Sequence, residues 1–224
     1  MLIFDADDTL WENNVIFERI IDEFLEWMVR PGLDRAQARA VLDGIEAANV
    51  LTHGYGGKVF LRSLGECLVE LRGRAATAAE SARISGWAAA FDHSRVELIP
   101  GVEQTLAELA GRHEMLMLTK GEAEEQRRKV AASGLTGHFR DVHIVAEKDV
   151  ATYEELKRAY RLVPEATWMI GNSPKSDILP ARSAGLNAVF IPHDRTWALE
   201  HGDIDPADEK VLQLASFGEL LQHF

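Results

Sequence analysis

The chain has 224 residues, and 24 Lys and Arg stand against 36 Asp and Glu, so its formal net charge is −12 with histidine neutral. Hydrophobic residues make up 46% and charged residues 27%, the profile of a soluble globular chain, which excludes collagen-like or disordered sequence. The acidic balance argues against a nucleic-acid partner, which needs a basic face, and the single cysteine, Cys67, excludes an intrachain disulfide.

The chain opens MLIFDADDTL, with no basic segment leading into a long apolar one, and no run approaches the ~20 apolar residues of a membrane span. A cytoplasmic location with no membrane partner is the expectation. Residues 1–4 read as a buried parallel strand ending at Asp5. Residues 15–30 place Phe17, Ile20, Ile21, Phe24 and Met28 on one helical face, and further helices are predicted at roughly 35–49, 57–72 and 77–91, punctuated by glycines. From Pro100 the pattern alternates. A helix marked by Val102, Leu106 and Leu109 precedes a strand at 115–118, a polar helix at 122–133 and a strand at 142–145. A helix at 150–161, a strand at 168–170, a helix at 175–184 with Pro180 kinking it, and strands at 188–191 and 211–214 complete the series. Such alternation predicts an α/β fold, a doubly wound parallel sheet covered on both faces, with a helical insert after the first strand. The core is expected at 1–13 and 99–224, and the insert at 14–98.

Ligands of doubly wound sheets sit at the carboxyl ends of the strands. The first strand delivers Asp5-Ala6-Asp7-Asp8-Thr9-Leu10, the second Thr119-Lys120-Gly121, the third is followed by Lys148, and the fourth delivers Gly171-Asn172-Ser173-Pro174-Lys175-Ser176-Asp177. Asp5 and Asp7 cannot both lie bare and buried without a large desolvation cost, and a hard cation with oxygen ligands resolves this. One acid is then free to attack and the other to carry a proton. A set of oxygens with no thiolate favours Mg²⁺ over zinc. Taken singly, each feature has a plain structural reading. DxD is also a solvated turn, Thr119 a helix cap, Lys148 a surface lysine, and Ser173-Pro174 an ordinary helix start. Convergence on one rim is what distinguishes them.

In these residues the chain resembles the haloacid dehalogenase-like hydrolase superfamily. Asp5 to Leu10 is similar to its DxDGT-type first motif, Leu118-Thr119 to the second, Lys148 to the third, and Gly171 to Asp177 to the acidic fourth, in the same order. The insert is placed like the family's helical C1 cap. The resemblance implies that Asp5 forms an aspartyl-phosphate and that Asp7 protonates the leaving oxygen and then activates water. It implies that Thr119 and Lys148 hold the phosphoryl oxygens, with Lys120 a rival for the lysine's role. Mg²⁺ would be held by Asp5, the backbone carbonyl of Asp7 and the fourth motif, Asn172 or Asp177.

Two residues depart from the pattern. Asp8 replaces a glycine and is expected to tolerate the turn, and Asn172 replaces an aspartate, so that Asp177 is favoured as a ligand. The expected activity is a phosphatase for a small phosphorylated metabolite, acting as a monomer or homodimer. A 2-haloacid dehalogenase, a phosphomutase or a non-catalytic phosphoacceptor are the alternatives, and Asp7 favours phosphoryl transfer because a departing alkoxide needs a proton and a halide does not. In the insert, Tyr55 and Lys58 of the His53-Gly54-Tyr55-Gly56-Gly57-Lys58 turn, or Arg62 beyond it, are candidate substrate contacts, or else the turn is a glycine-broken helix connection. The His193 to His201 stretch, rich in Asp, Glu and His, reads as surface loop and packing.

Overall fold

Leu2, Ile3 and Phe4 form strand β1 (Leu2–Phe4), and all three are buried, in a computed structural model that describes residues 1–224. Burial on both faces is why this run shows no polar alternation. The other strands are β2 (Met115–Lys120), β3 (Asp141–Val145), β4 (Trp168–Gly171), β5 (Asn187–Phe190) and β6 (Val211–Gln213). They make one sheet, ordered β3-β2-β1-β4-β5-β6, in which every neighbouring pair is parallel. Ile3 stands opposite Leu116 on one side and Met169 on the other. The winding direction reverses at β1, the position where such sheets open a crevice.

Each face of the sheet has its own core. Leu2, Phe4, Met117 and Ile170 pack with Val102 and Leu106 of α5 (Val102–Ala110), while Ile3, Leu118 and Met169 pack with Tyr153 and Leu156 of α7 (Val150–Tyr160). The remaining helices of this unit are α6 (Ala123–Ser133) and α8 (Leu179–Ser183). The helix predicted at 175–184 is divided: Pro174–Ile178 forms a π-helical turn, and α8 follows with Pro180 in its first turn. A proline there lacks only an N–H that the helix start leaves unbonded anyway.

The chain divides into two compact units, Met1–Asn14 with Ser94–Phe224, and Val15–His93. The second is helical: α1 (Asn14–Met28), α2 (Arg35–His53), α3 (Gly57–Arg72) and α4 (Ala78–Gly86), then a 3₁₀ turn over Trp87–Phe91 in place of the helical end expected there. Capping boxes at Asp34–Gln37 and Thr77–Glu80 start α2 and α4. Phe17 packs between Phe60 and Phe91, with ring centroids 5.0 and 4.9 Å away. Residues 94–98 go with the sheet-bearing unit, because Trp11 bridges Leu98 and the Glu12 N–H donates to the Glu97 carbonyl at 2.8 Å. No helix is long and apolar enough to cross a membrane.

Candidate active site

Asp5 continues β1 by donating its N–H to the Ile170 carbonyl at 2.9 Å, which brings its carboxylate to the reversal point of the sheet. Oδ2 accepts from Thr9 Oγ1 at 2.8 Å, and Oδ1 accepts from Lys148 Nζ. The same ammonium donates to Asp177 Oδ1 at 2.8 Å, while Asp177 Oδ2 accepts the Ser173 N–H at 2.9 Å. All three charged side chains are buried. Burial alone would push the Lys148 pKa down, but the charges of Asp177 and Asp5 outweigh it and raise it. Burial pushes the Asp177 pKa up, reinforced by Asp5 and opposed by Lys148. Because its two oxygens accept from Lys148 and from Ser173, we take Asp177 as the charged partner of the lysine. Both Asp177 oxygens are thereby engaged, as both oxygens of Asp5 are, and the expected role of Asp177 at a metal, directly or through water, stays a proposal. Gly171 makes this placement possible, since a Cβ there would collide with the Asp177 carboxylate. Tyr153 braces the π-helical turn, donating to the Ser176 carbonyl at 2.9 Å.

Asn172 lies across from Asp5. Thr9 spends its hydroxyl hydrogen on Asp5, so the amide is satisfied when Nδ2 faces inward, 3.2 Å from Thr9 Oγ1, 3.2 Å from Asp5 Oδ2 and 3.3 Å from the Asp7 carbonyl. With the amide turned the other way, Oδ1 would join Asp5 Oδ2 and the Asp7 carbonyl as three oxygens with no hydrogen between them. Such a set suits a hard cation, so Asp5, the Asp7 carbonyl and Asn172 fit a Mg²⁺-type ion.

Asp7 turns its side chain elsewhere. Trp11 Nε1 donates to Oδ1 at 2.7 Å, and Gln126 Nε2 and Lys129 Nζ donate to Oδ2 at 2.8 and 2.9 Å. Asp8 adopts φ +62°, the left-handed conformation that a glycine would otherwise supply, and its carboxylate accepts the N–H groups of Asn13 and Asn14 at 2.8 and 2.9 Å. Burial pushes its pKa up to about 6 against those hydrogen bonds. Asp8, Glu12 and His193 form a second grouping with one ligand atom from each within 4.8 Å. Their atoms are already partnered: His193 Nε2 meets Glu12 at 3.2 Å and Nδ1 accepts from the Arg195 N–H at 3.3 Å.

Thr119 sits buried at the end of β2, on the same rim. Lys120, expected at the substrate phosphate, is instead tied at 2.6 Å to both Glu200 Oε1 and Ser176 Oγ, and at 3.3 Å to Glu147. Glu200 also accepts from Ser173 and Ser176. Burial alone would raise the Glu200 pKa, but the charge of Lys120 and these hydrogen bonds bring it below the ordinary 4.5. The segment read as surface loop thus holds a buried acid that braces the fourth-motif turn. Tyr55 and Lys58 belong to the helical unit, where Tyr55 is half-buried and Lys58 exposed. Sequence reasoning missed Thr9, Trp11, Gln126, Lys129 and Glu200. The signal available for two of them is the stripe Gln126, Lys129, Val130, Ser133, which follows helical spacing.

The chain is 27% identical to phosphoserine phosphatase of Thermus thermophilus, over 92% of this chain and 93% of that protein. A haloacid dehalogenase-like family hydrolase from Xanthomonas campestris superposes with TM-score 0.84 at 27% identity, over 99% of this chain and 92% of that one. The L-2-haloacid dehalogenase of Xanthobacter autotrophicus shares the fold, with TM-score 0.63 at 20% identity over 99% and 96%. A family model described as haloacid dehalogenase-like hydrolase matches residues 1–185, strands β1 to β4 and every charged group around Asp5 included, and the chain belongs to that family.

Proposed function

We propose that this protein is a Mg²⁺-dependent phosphatase of small phosphorylated metabolites, working through an aspartyl-phosphate on Asp5. The observation that carries the reading is the pairing of two differently held acids. Asp5 is buried between Lys148 and Thr9, beside an oxygen set suited to a cation, while Asp7 keeps 20% of its side chain exposed and projects from the same loop. The Thermus thermophilus relative supports a phosphomonoester as substrate and makes phosphoserine the first compound to try.

In the first step an Asp5 oxygen attacks phosphorus, the bond from phosphorus to the leaving oxygen breaks, and Asp7 gives that oxygen its proton. In the second, Asp7 takes a proton from water, the water oxygen attacks phosphorus, the bond to Asp5 breaks and inorganic phosphate leaves. Lys148 orients Asp5 and offsets the charge of the transferring group, and the Thr119 hydroxyl binds one of its oxygens. Mg²⁺, held by Asp5, the Asp7 carbonyl and Asn172, would supply charge neutralisation for the phosphoryl group. The helical unit, with Tyr55 and Lys58, is proposed to select the substrate.

Phosphate release from p-nitrophenyl phosphate and phosphoserine, measured with Mg²⁺ and with chelator, tests the reading. Turnover should require Mg²⁺ and disappear in Asp5→Asn. Halide release from a 2-haloacid in chelator, with no phosphate release under either condition, would establish the dehalogenase alternative instead.

A further inference from the structure

Helix α6 carries an inward face of unusual chemistry. Where α5 buries Val102, Leu106 and Leu109, α6 buries Glu125, Gln126, Lys129 and Ser133 around a single apolar residue, Val130. The Lys129 side chain is 2% exposed, and its ammonium donates to Asp7 Oδ2 at 2.9 Å and Asn13 Oδ1 at 2.7 Å, with Glu125 3.6 Å away. Gln126, one turn earlier, donates to the same Asp7 oxygen at 2.8 Å and to the Lys120 carbonyl at 3.1 Å. Trp11 holds the other carboxylate oxygen at 2.7 Å. Three donors on two oxygens leave a short side chain with one orientation.

Other features yield to this contact. Gln126 Oε1 is buried without a hydrogen-bond partner, a cost tolerated so that the amide nitrogen reaches Asp7. Gly121, at φ +144°, leaves the room: a Cβ there would lie 2.8 Å from Gln126 Nε2. An apolar face like that of α5 would secure the helix without a buried cation, so the fold alone does not call for Lys129.

We propose that Lys129, supported by Gln126 and Trp11, is a positioning residue that fixes Asp7 in the orientation from which it protonates the leaving oxygen and later deprotonates water. This rests on the phosphatase reading of Asp5 and Asp7. The clamp atoms are buried while Asp7 stays partly exposed, so the donors hold the carboxylate from behind. A residue that acts through the general acid matters most when the leaving group most needs a proton.

The test compares kcat/KM of the Mg²⁺-loaded wild type, Lys129→Met and Lys129→Arg on p-nitrophenyl phosphate, phenyl phosphate and an alkyl phosphate. Lys129→Met should lose roughly tenfold or less on the first and about 100-fold or more on the last, with Lys129→Arg recovering part of the alkyl activity. In the metal-free protein, the Trp11 indole N–H resonance, assigned with Trp11→Phe, should move in Lys129→Met because its acceptor is no longer fixed. Gln126→Leu, which removes a donor and no charge, should show the same graded loss at smaller size and serves if Lys129→Met does not fold. An equal loss across the three esters, or an unmoved indole resonance, overturns the proposal. A wild type that hydrolyses none of the esters overturns the phosphatase reading and this inference with it, and is recognisable because the failure precedes any substitution.

Discussion

Lys148→Met gives the sharpest prediction. The lysine and Asp177 side chains are each 1% exposed and Asp5 is 9% exposed, so the ammonium lies between two carboxylates that water barely reaches. Methionine keeps the volume and removes the charge, leaving two acids with no cation between them. Breaking a buried ion pair by deleting one partner costs about 3–5 kcal/mol. In a chain of this size each kcal/mol moves the midpoint by about 2–4 °C, so the melting temperature should fall by roughly 6–20 °C. Burial already raises the Asp177 pKa, so proton uptake by that acid places the result toward the lower end of the range. The assay is thermal unfolding in chelator at neutral pH, beside a Lys148→Met/Asp177→Leu double variant. The double variant should recover part of the loss, because it removes the stranded charge, while the Ser173 N–H remains without its acceptor. The folded-state pKa of Lys148 lies above the ordinary 10.5, so the lysine's share is lost as pH rises through that higher value, while on the acid side the pair weakens as Asp177, its pKa raised by burial, takes up a proton. A single variant melting within about 2 °C of wild type would refute the buried triad.

Gly171→Ala should displace the Asp177 carboxylate, lower stability by about 1–3 kcal/mol and reduce turnover by misplacing Lys148, measured by urea unfolding and phosphate release. Asn172→Asp adds a charge to the cation set, so the Mg²⁺ concentration for half-maximal activation should fall by about tenfold while the metal-free protein melts lower, the two curves crossing as Mg²⁺ is added. The Glu200 pKa is lowered on folding, so its bonds to Lys120, Ser173 and Ser176 stabilise the protein above pH 4.5, and that share is lost as pH falls through the lower folded value. Glu200→Gln should therefore flatten the acid limb of a stability-against-pH curve measured by chemical denaturation.

The strands were readable because a sheet covered on both faces demands unbroken apolar runs, and MLIF, Met115–Leu118 and Trp168–Ile170 supply them. Asp5 and Lys148 were readable from their place beyond such runs, and the turn at Asp8 from its likeness to the family's first motif. The Asp7 clamp was not, because hydrophobic periodicity finds apolar faces, and α6 presents Gln126 and Lys129 inward toward a carboxylate with Val130 as its one buried apolar residue, too little to mark a face. Glu200 was hidden for a related reason. Its partners Lys120, Ser173 and Ser176 come from two other segments, and no local pattern distinguishes an acid gripped by distant donors from one in water. The division of the 175–184 segment follows from Pro180, which marks a break in the sequence without saying that a π-helical turn would take up the slack.

The strand that carries Asp5 is also the one whose partners are farthest along the chain. Ile3 pairs with Leu116 and Met169, so the separations are 116 − 3 = 113 and 169 − 3 = 166 residues. Val15–His93, in contrast, is a continuous stretch with its own apolar cluster, and its contacts are local. Pairings of high contact order form slowly, because loop-closure entropy is lost before any contact compensates for it. The helices between can therefore consolidate while the central strand still waits for both neighbours, and Asp5 takes its place only when the last of the long loops has closed.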